Sequence, residues 1–238
     1  MFKVSQVINN FFRNIRYSTY IKLIKKKKKI SLSPLENNPL TTLMNKYGSD
    51  KGNSNNKHNY TKFYDSLFSN IKNKKLNLME IGLGSIDSEI DFHMKFMGNN
   101  YQPLASLFAW REYFINSNIF GADIDRTLIK NLDRIKTFYV DMQNEETILD
   151  MWNKIDTKMD IIIDDGFHSY DANINLFRNS FKHLKNSGYY IIEDVHRKPS
   201  NIKKFNNFFL NEKIKYEIID IPHKNNIHDN CLILIRKD

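Results

Sequence analysis

The segment Met159-Asp160-Ile161-Ile162-Ile163-Asp164-Asp165-Gly166-Phe167-His168 decides the fold class. Its short apolar run has the character of a fully buried parallel strand, and it stops abruptly in paired carboxylates. A second segment repeats the pattern: Tyr189-Tyr190-Ile191-Ile192-Glu193-Asp194-Val195-His196. In open α/β sheets, ligands bind outside the carboxyl ends of the strands. If these two strands are neighbours, four carboxylates and two imidazoles share one rim. So many oxygen ligands suit a hard cation such as Mg2+.

Outward from these segments, residues 76–81, 118–124 and 134–140 read as earlier strands. Helices are predicted over 41–46, 61–70, 104–114, 145–154, 172–184 and 201–211. Trp110 and Phe114 are expected as core anchors of their helix. Residues 47–60 form a polar, glycine-containing loop, and 86–103 an irregular insertion expected over the cofactor or substrate mouth. Residues 213–221 and 231–236 read as two strands with too short a link for a crossover, hence an antiparallel pair. The pattern predicts an α/β fold: a doubly wound, mostly parallel seven-stranded sheet with one antiparallel strand.

The 238 residues carry a formal charge of +9, but its placement matters more than its size. Residues 1–30 hold nine basic and no acidic side chains, leaving 27 of each sign in the rest. A nucleic-acid-binding body would carry its own basic face, so no nucleic-acid partner is expected. Residues 2–24 predict a basic amphipathic helix, followed by the Lys25–Lys29 run. Such a helix can lie on an anionic membrane surface, or pack on its own domain or a partner subunit. Residues 1–39 are therefore read as a basic segment with its linker, and 40–238 as the folded domain. Cys231, the single cysteine, falls in a predicted buried strand. That fits a reducing cytoplasm, with contact at the inner membrane surface through residues 1–30.

Glu80-Ile81-Gly82-Leu83-Gly84-Ser85 follows the first strand, where glycines allow a tight turn and close backbone approach to a ligand. Asp123 ends the second strand, where a carboxylate can accept from ribose hydroxyls. Asp141 and Gln143 follow the third, placed to meet an adenine amino group. This arrangement resembles the S-adenosylmethionine site of Rossmann-like methyltransferases.

A narrower resemblance rests on five segments in order. They are Tyr47-Gly48-Ser49-Asp50-Lys51-Gly52 with His58 and Tyr60; the Glu80–Ser85 turn; Ser106–Phe114 running into Ile119–Asp125; Asp164–His168; and Tyr190–Asp194. Over about residues 40–200 the chain is similar to the metal-dependent sugar O-methyltransferases of the mycinamicin and macrocin type. The resemblance implies S-adenosylmethionine and Mg2+ as cofactors. It implies Asp165, Glu193 and Asp194 as metal ligands, His168 as the base, and a loop with Asp50, Lys51, His58 and Tyr60 that closes over the site. Asp164 is read as a supporting acid on the cofactor side, and His196 as a substrate contact. Phe167 stands where the family commonly has Ser.

The residue chemistry agrees with that set of roles. A sugar hydroxyl is a poor nucleophile, and a Lewis acid that stabilises developing alkoxide assists it. His168 can take the proton near neutral pH, and it follows Asp165 closely enough to face one cleft. The plainer alternatives are a helix cap for Asp165, a structural imidazole for His168 and a loop residue for His196. The expected substrate is a small sugar or nucleotide-activated sugar, such as a heptose of a bacterial surface polysaccharide. Another surface-glycan acceptor, including a phosphorus oxyacid group, is a sister reading. A nicotinamide-dependent sugar oxidoreductase would want a third glycine where Asp87 stands. An RNA- or membrane-binding protein led by the basic tail is the non-enzymatic alternative.

Overall fold

The computed structural model describes residues 37–54, 57–91 and 93–238. The predicted helix over 2–24 and the Lys25–Lys29 run lie outside the described residues. No helix among the described residues is long and apolar enough to cross a membrane.

The apolar runs form one mixed sheet. Its strands are β1 (Asn77–Ile81), β2 (Asn118–Asp123), β3 (Asn131–Leu132), β4 (Ile135–Tyr139), β5 (Met159–Asp164), β6 (Leu184–Ile192), β7 (Tyr216–Asp220) and β8 (Cys231–Arg236). Their spatial order is β3-β4-β2-β1-β5-β6-β8-β7. Neighbours from β4 through β6 run parallel, while β8 runs against both β6 and β7. The expected seven strands are eight, because the two-residue β3 folds back antiparallel onto β4. Both its residues are exposed, so no apolar pattern marks it. The strand expected at 189–192 begins earlier, at Leu184, and reaches β5 through a register shift beside Met159.

Six helices are described: α1 (Pro39–Tyr47), α2 (Thr61–Phe68), α3 (Ala105–Tyr113), α4 (Glu145–Asn153), α5 (Tyr170–Ser180) and α6 (Pro199–Asn211). Local signals explain their starts. Asn38 caps α1, accepting the Thr41 N–H at 2.8 Å just ahead of Pro39. Ser169 caps α5 in the same way. Two apolar clusters, one on each sheet face, bury the strands. Trp110 and Phe114 are fully buried in the face formed by α1, α2 and α3, as their spacing predicts.

The topology fixes where the charged ends go. The chain steps outward from β1 through β2 to β4, then crosses to β5 and β6 on the other side. The crevice of such a sheet opens at this reversal, between β1 and β5. The register aligns Ile81 with both Ala122 and Asp164, and Asp164 with Ile192. Gly82, Asp123, Asp165 and Glu193 therefore emerge along one rim.

The β7–β8 connection closes one end of that rim, and Arg197 holds it. This buried guanidinium pairs with Asp220 at 2.6 Å and donates to the carbonyls of Ile221 and Asn230 at 3.2 and 2.6 Å. Arg197→Met is expected to cost about 2 kcal/mol, the scale of lost hydrogen bonds to a charged donor. It is also expected to speed amide exchange selectively over residues 221–230, measurable by hydrogen exchange with mass spectrometry. Unchanged protection there would contradict this role.

Candidate active site

A cavity of about 390 Å³ occupies the rim. Its β1 side is a glycine cradle. Gly82 and Gly84 have φ of +94° and +75°. A Cβ at Gly82 would strike the carbonyl oxygen of Asp165, and one at Gly84 the Tyr101 hydroxyl. Backbone blocks any side chain at Gly82, and the positive φ disfavours one at Gly84. The Leu83 N–H donates to Asp123 Oδ2 at 2.6 Å, and the Asp125 N–H to Asp123 Oδ1 at 2.9 Å. Ser85 donates to Asp125 at 2.6 Å. The insertion folds back over this turn through Met94 N–H to Ser85 O (2.6 Å) and Leu104 N–H to Leu83 O (2.9 Å). Ile90, Met94, Phe96 and Tyr101 thereby line the cavity, as expected of an insertion over its mouth.

Gly82, Gly84, Ser85, Asp123 and Asp141 all line the cavity, whereas Gln143 is exposed and does not. Met142 takes the inward position beside it. Glu80 lies beneath the turn, fully buried, with Oε2 accepting Trp110 Nε1–H at 2.6 Å. Burial raises its pKa, opposed by Lys51.

The acceptor side gathers Asp165, His168 and Asp194, whose nearest donor atoms lie within 4.8 Å of one another. His168 Nε2 is 3.9 Å from Asp194 Oδ2. His168 and Asp194 both adopt φ of +53°, the left-handed region that Asp and His enter more readily than most residues other than glycine.

The two acidic pairs divide by direction. Asp165 and Asp194 open onto the cavity, but their neighbours Asp164 and Glu193 turn into the interior at 0% and 1% exposure. The register sets Asp165 beside Glu193, on the sheet face where Lys51 meets both, and Asp164 on the opposite face, where it meets Asn173, so the two interior acids are buried from different sides. Asp164 accepts from Asn173 at 3.0 Å, and burial pushes its pKa up to about 7. Glu193, implied as a metal ligand, accepts Tyr64 OH at 2.5 Å on one oxygen and Lys51 Nζ at 2.9 Å on the other. Burial raises its pKa well above the usual carboxylate range, with Lys51 opposing and Asp165 and Glu80 adding to the rise.

The loop expected as a lid supplies a wall. Ser49, Asp50, Lys51, Lys57 and His58 line the cavity. Lys51 is buried, and its ammonium contacts Asp165, Glu193 and Glu80. Burial opposes its charge, yet those carboxylates raise its pKa well above the ordinary lysine value. Tyr60 lies behind, donating to Asp194 Oδ1 at 2.5 Å, with His58 stacked on its ring at 4.6 Å. His196 and Asp229 complete the rim. Asp229 was not singled out from sequence, because the β7–β8 connection reads only as a polar turn.

Two curated proteins are similar to this chain in sequence. A mycinamicin VI 2''-O-methyltransferase from Micromonospora griseorubida is 32% identical over 139 residues, 58% of this chain and 32% of that protein. An 8-demethyl-8-alpha-L-rhamnosyl tetracenomycin-C 2'-O-methyltransferase from Streptomyces olivaceus is 28% identical over 159 residues, 66% of this chain and 37% of that protein. The chain resembles the sugar O-methyltransferases. It spans about a third of the length of these curated relatives. Among solved structures, the MycE methyltransferase of the mycinamycin pathway, in complex with Mg, SAH and mycinamycin VI, shares the fold. Its TM-score is 0.62 at 22% identity, over 84% of this chain and 55% of that one. No protein-family model matches the chain.

In this relative of the sugar O-methyltransferases, His58 reports on the charge of the acceptor side. Its Nδ1 is 3.6 Å from Asp194, and its Nε2 4.0 Å from Asp50. Burial lowers the His58 pKa, but Asp194 and Asp50 outweigh it and the net shift is upward. A raised folded-state value makes the His58 contribution to stability complete below about pH 6.5, the unfolded value. That contribution fades as pH rises through the folded value. In metal-free protein, NMR titration should find His58 above the ordinary imidazole range, and Asp194→Asn should lower it. No change in Asp194→Asn would contradict the pairing.

Proposed function

We propose that this chain is an S-adenosylmethionine- and Mg2+-dependent O-methyltransferase acting on a sugar hydroxyl. The observation that carries the reading is the juxtaposition in one cavity of a glycine cradle and the Asp165–His168–Asp194 cluster. The named activities of the relatives support it, and the 40–238 domain is its proposed seat.

The residues suit both cofactors. Gly82 to Ser85 offer close backbone approach, with Asp123 and Asp141 at the next two strand ends for ribose and adenine. The hard oxygens of Asp165 and Asp194 would hold Mg2+. Glu193 stands behind them, with both its oxygens engaged. When bound, S-adenosylmethionine supplies an electrophilic methyl group and Mg2+ a Lewis acid for the acceptor oxygen. His168 Nε2 takes the hydroxyl proton, with Asp194 beside it to stabilise the imidazolium. The walls made by Ser49, Asp50, Lys57 and His58 and by Met94, Phe96 and Tyr101 orient the acceptor and exclude water.

The finer reading is a nucleotide-activated sugar of a bacterial surface polysaccharide, with residues 1–30 giving peripheral membrane contact. The acceptor side carries Asp50, Asp165, Asp194 and Asp229 against Lys51 and Lys57. A neutral glycoside and a nucleotide sugar are therefore separate arms of the test. With labelled S-adenosylmethionine, methyl transfer to a sugar acceptor is expected to stop in EDTA and return with Mg2+. His168→Ala should lower kcat by about 10²- to 10⁴-fold. Transfer that persists in EDTA, or an unchanged rate in His168→Ala, would overturn those roles.

A further inference from the structure

Residues 31–238 carry equal numbers of acidic and basic side chains, but the sheet sorts them. Acids gather at the cavity rim, and the opposite edge is basic. Four adjacent strands assemble that edge. β1, β5 and β6 run parallel and β8 runs against them, so the three starts and the one end lie together. Residues 70–76 and 154–158 lead into β1 and β5, residues 181–187 turn into β6, and residues 236–238 finish β8. These segments hold nine basic side chains, eight of them lysines, against two acidic ones. At ordinary strand spacing the four strands span about 15 Å. Neighbouring charges therefore fall within the ~8 Å reach of an exposed charge at physiological salt, and they act on a partner together.

Little within the fold neutralises this edge. Asp160 is paired with Lys185 at 2.7 Å, and Asp238 with Lys215 at 3.1 Å. Lys74, Lys75, Lys158 and Lys182 are exposed and have no ion pair among the described residues. His183 lies flat on Trp152 at 4.4 Å, and burial, then Lys182, Lys158 and Lys237, lower its pKa. Burial and Lys158 likewise lower that of Lys237. Self-repulsion of this kind is relieved when an anion lies against it. The approach to β2 adds an apolar contact beside the lysines. Asn116 donates to the Asn73 carbonyl at 2.8 Å and Ser117 to that of Lys74 at 3.1 Å, and Ile115 next to them is 56% exposed. We propose that this edge docks on an anionic phospholipid membrane, with its lysines on the headgroups, Ile115 toward the acyl chains and the cavity facing away from the bilayer. A nucleic acid is served less well. The rings here are covered, Phe181 by Lys237 Nζ at 5.1 Å and Tyr189 by the Arg236 guanidinium at 5.8 Å, so neither is free to stack on a base. The contact is separate from the one proposed for residues 1–30, and it depends on neither the metal nor the acceptor.

The test is co-sedimentation of the full chain with phosphatidylglycerol vesicles and with phosphatidylcholine vesicles. Binding is expected to the first only, and it should weaken with salt. The triple variant Lys74→Gln, Lys158→Gln, Lys182→Gln should bind about 10- to 100-fold more weakly, with S-adenosylhomocysteine binding unchanged. A second triple, Lys130→Gln, Lys203→Gln, Lys224→Gln, removes the same charge from exposed lysines outside these segments. It should bind much as the wild type does. Equal losses in both triples would reduce the attraction to net charge, and no loss in the first would leave it to residues 1–30. Either result would overturn the proposal, as would wild-type protein that ignores phosphatidylglycerol. Orientation is read separately by fluorescence against the wild type. Phosphatidylglycerol vesicles should shift the emission of Ile115→Trp to the blue. They should leave that of Ile227→Trp, in the exposed β7–β8 connection, unshifted. The reverse pattern would contradict the docking face. Duplex RNA is the competing ligand: RNA binding that is lost in the first triple while vesicle binding survives would assign the edge to nucleic acid instead.

Discussion

Buried strands that end in acids meet a single constraint: their charges converge where water is scarce. Glu80, Asp165 and Glu193 leave three neighbouring strands and meet around one ammonium. Breaking a buried ion pair is strongly destabilising because the remaining charge loses its partner. Lys51 offsets that repulsion, and it arrives from a loop far away in sequence. The ion pairs thus join the sheet to the loop that walls the cavity. Tyr64 and Trp110 extend the network into the apolar layer formed by α2 and α3.

Above this network the cavity has two characters. The cofactor side is built from backbone, since the Gly82 and Gly84 conformations disfavour side chains. The acceptor side is built from charge, with Asp165, Asp194 and His168 held at the surface of the acidic centre. Asp194 is the busiest of these. Tyr60 donates to it, and both His58 and His168 lie beside it. The backbone is left-handed at both His168 and Asp194.

The sheet was legible because its central strands are buried on both faces and read as unbroken apolar runs. β3 was not, being two exposed residues held only by its fold-back onto β4. The cradle and the acidic ends were legible because glycines and carboxylates have few other reasons to end a strand. Their division was not read: Asp164 and Glu193 are buried on opposite faces of the sheet, against Asn173 and Tyr64, while Asp165 and Asp194 line the cavity. Gln143 fell on the outer side of its turn, and Met142 on the inner. Lys51 was singled out through a motif, but its burial among the acids depends on tertiary closure that no local pattern encodes.

The central claim is that acids at neighbouring strand ends hold a divalent ion beside His168. Crystals grown with Mn2+ and S-adenosylhomocysteine test it directly. The account predicts an anomalous peak about 2 Å from oxygens of both Asp165 and Asp194. The absence of a peak beside these two acids would contradict it.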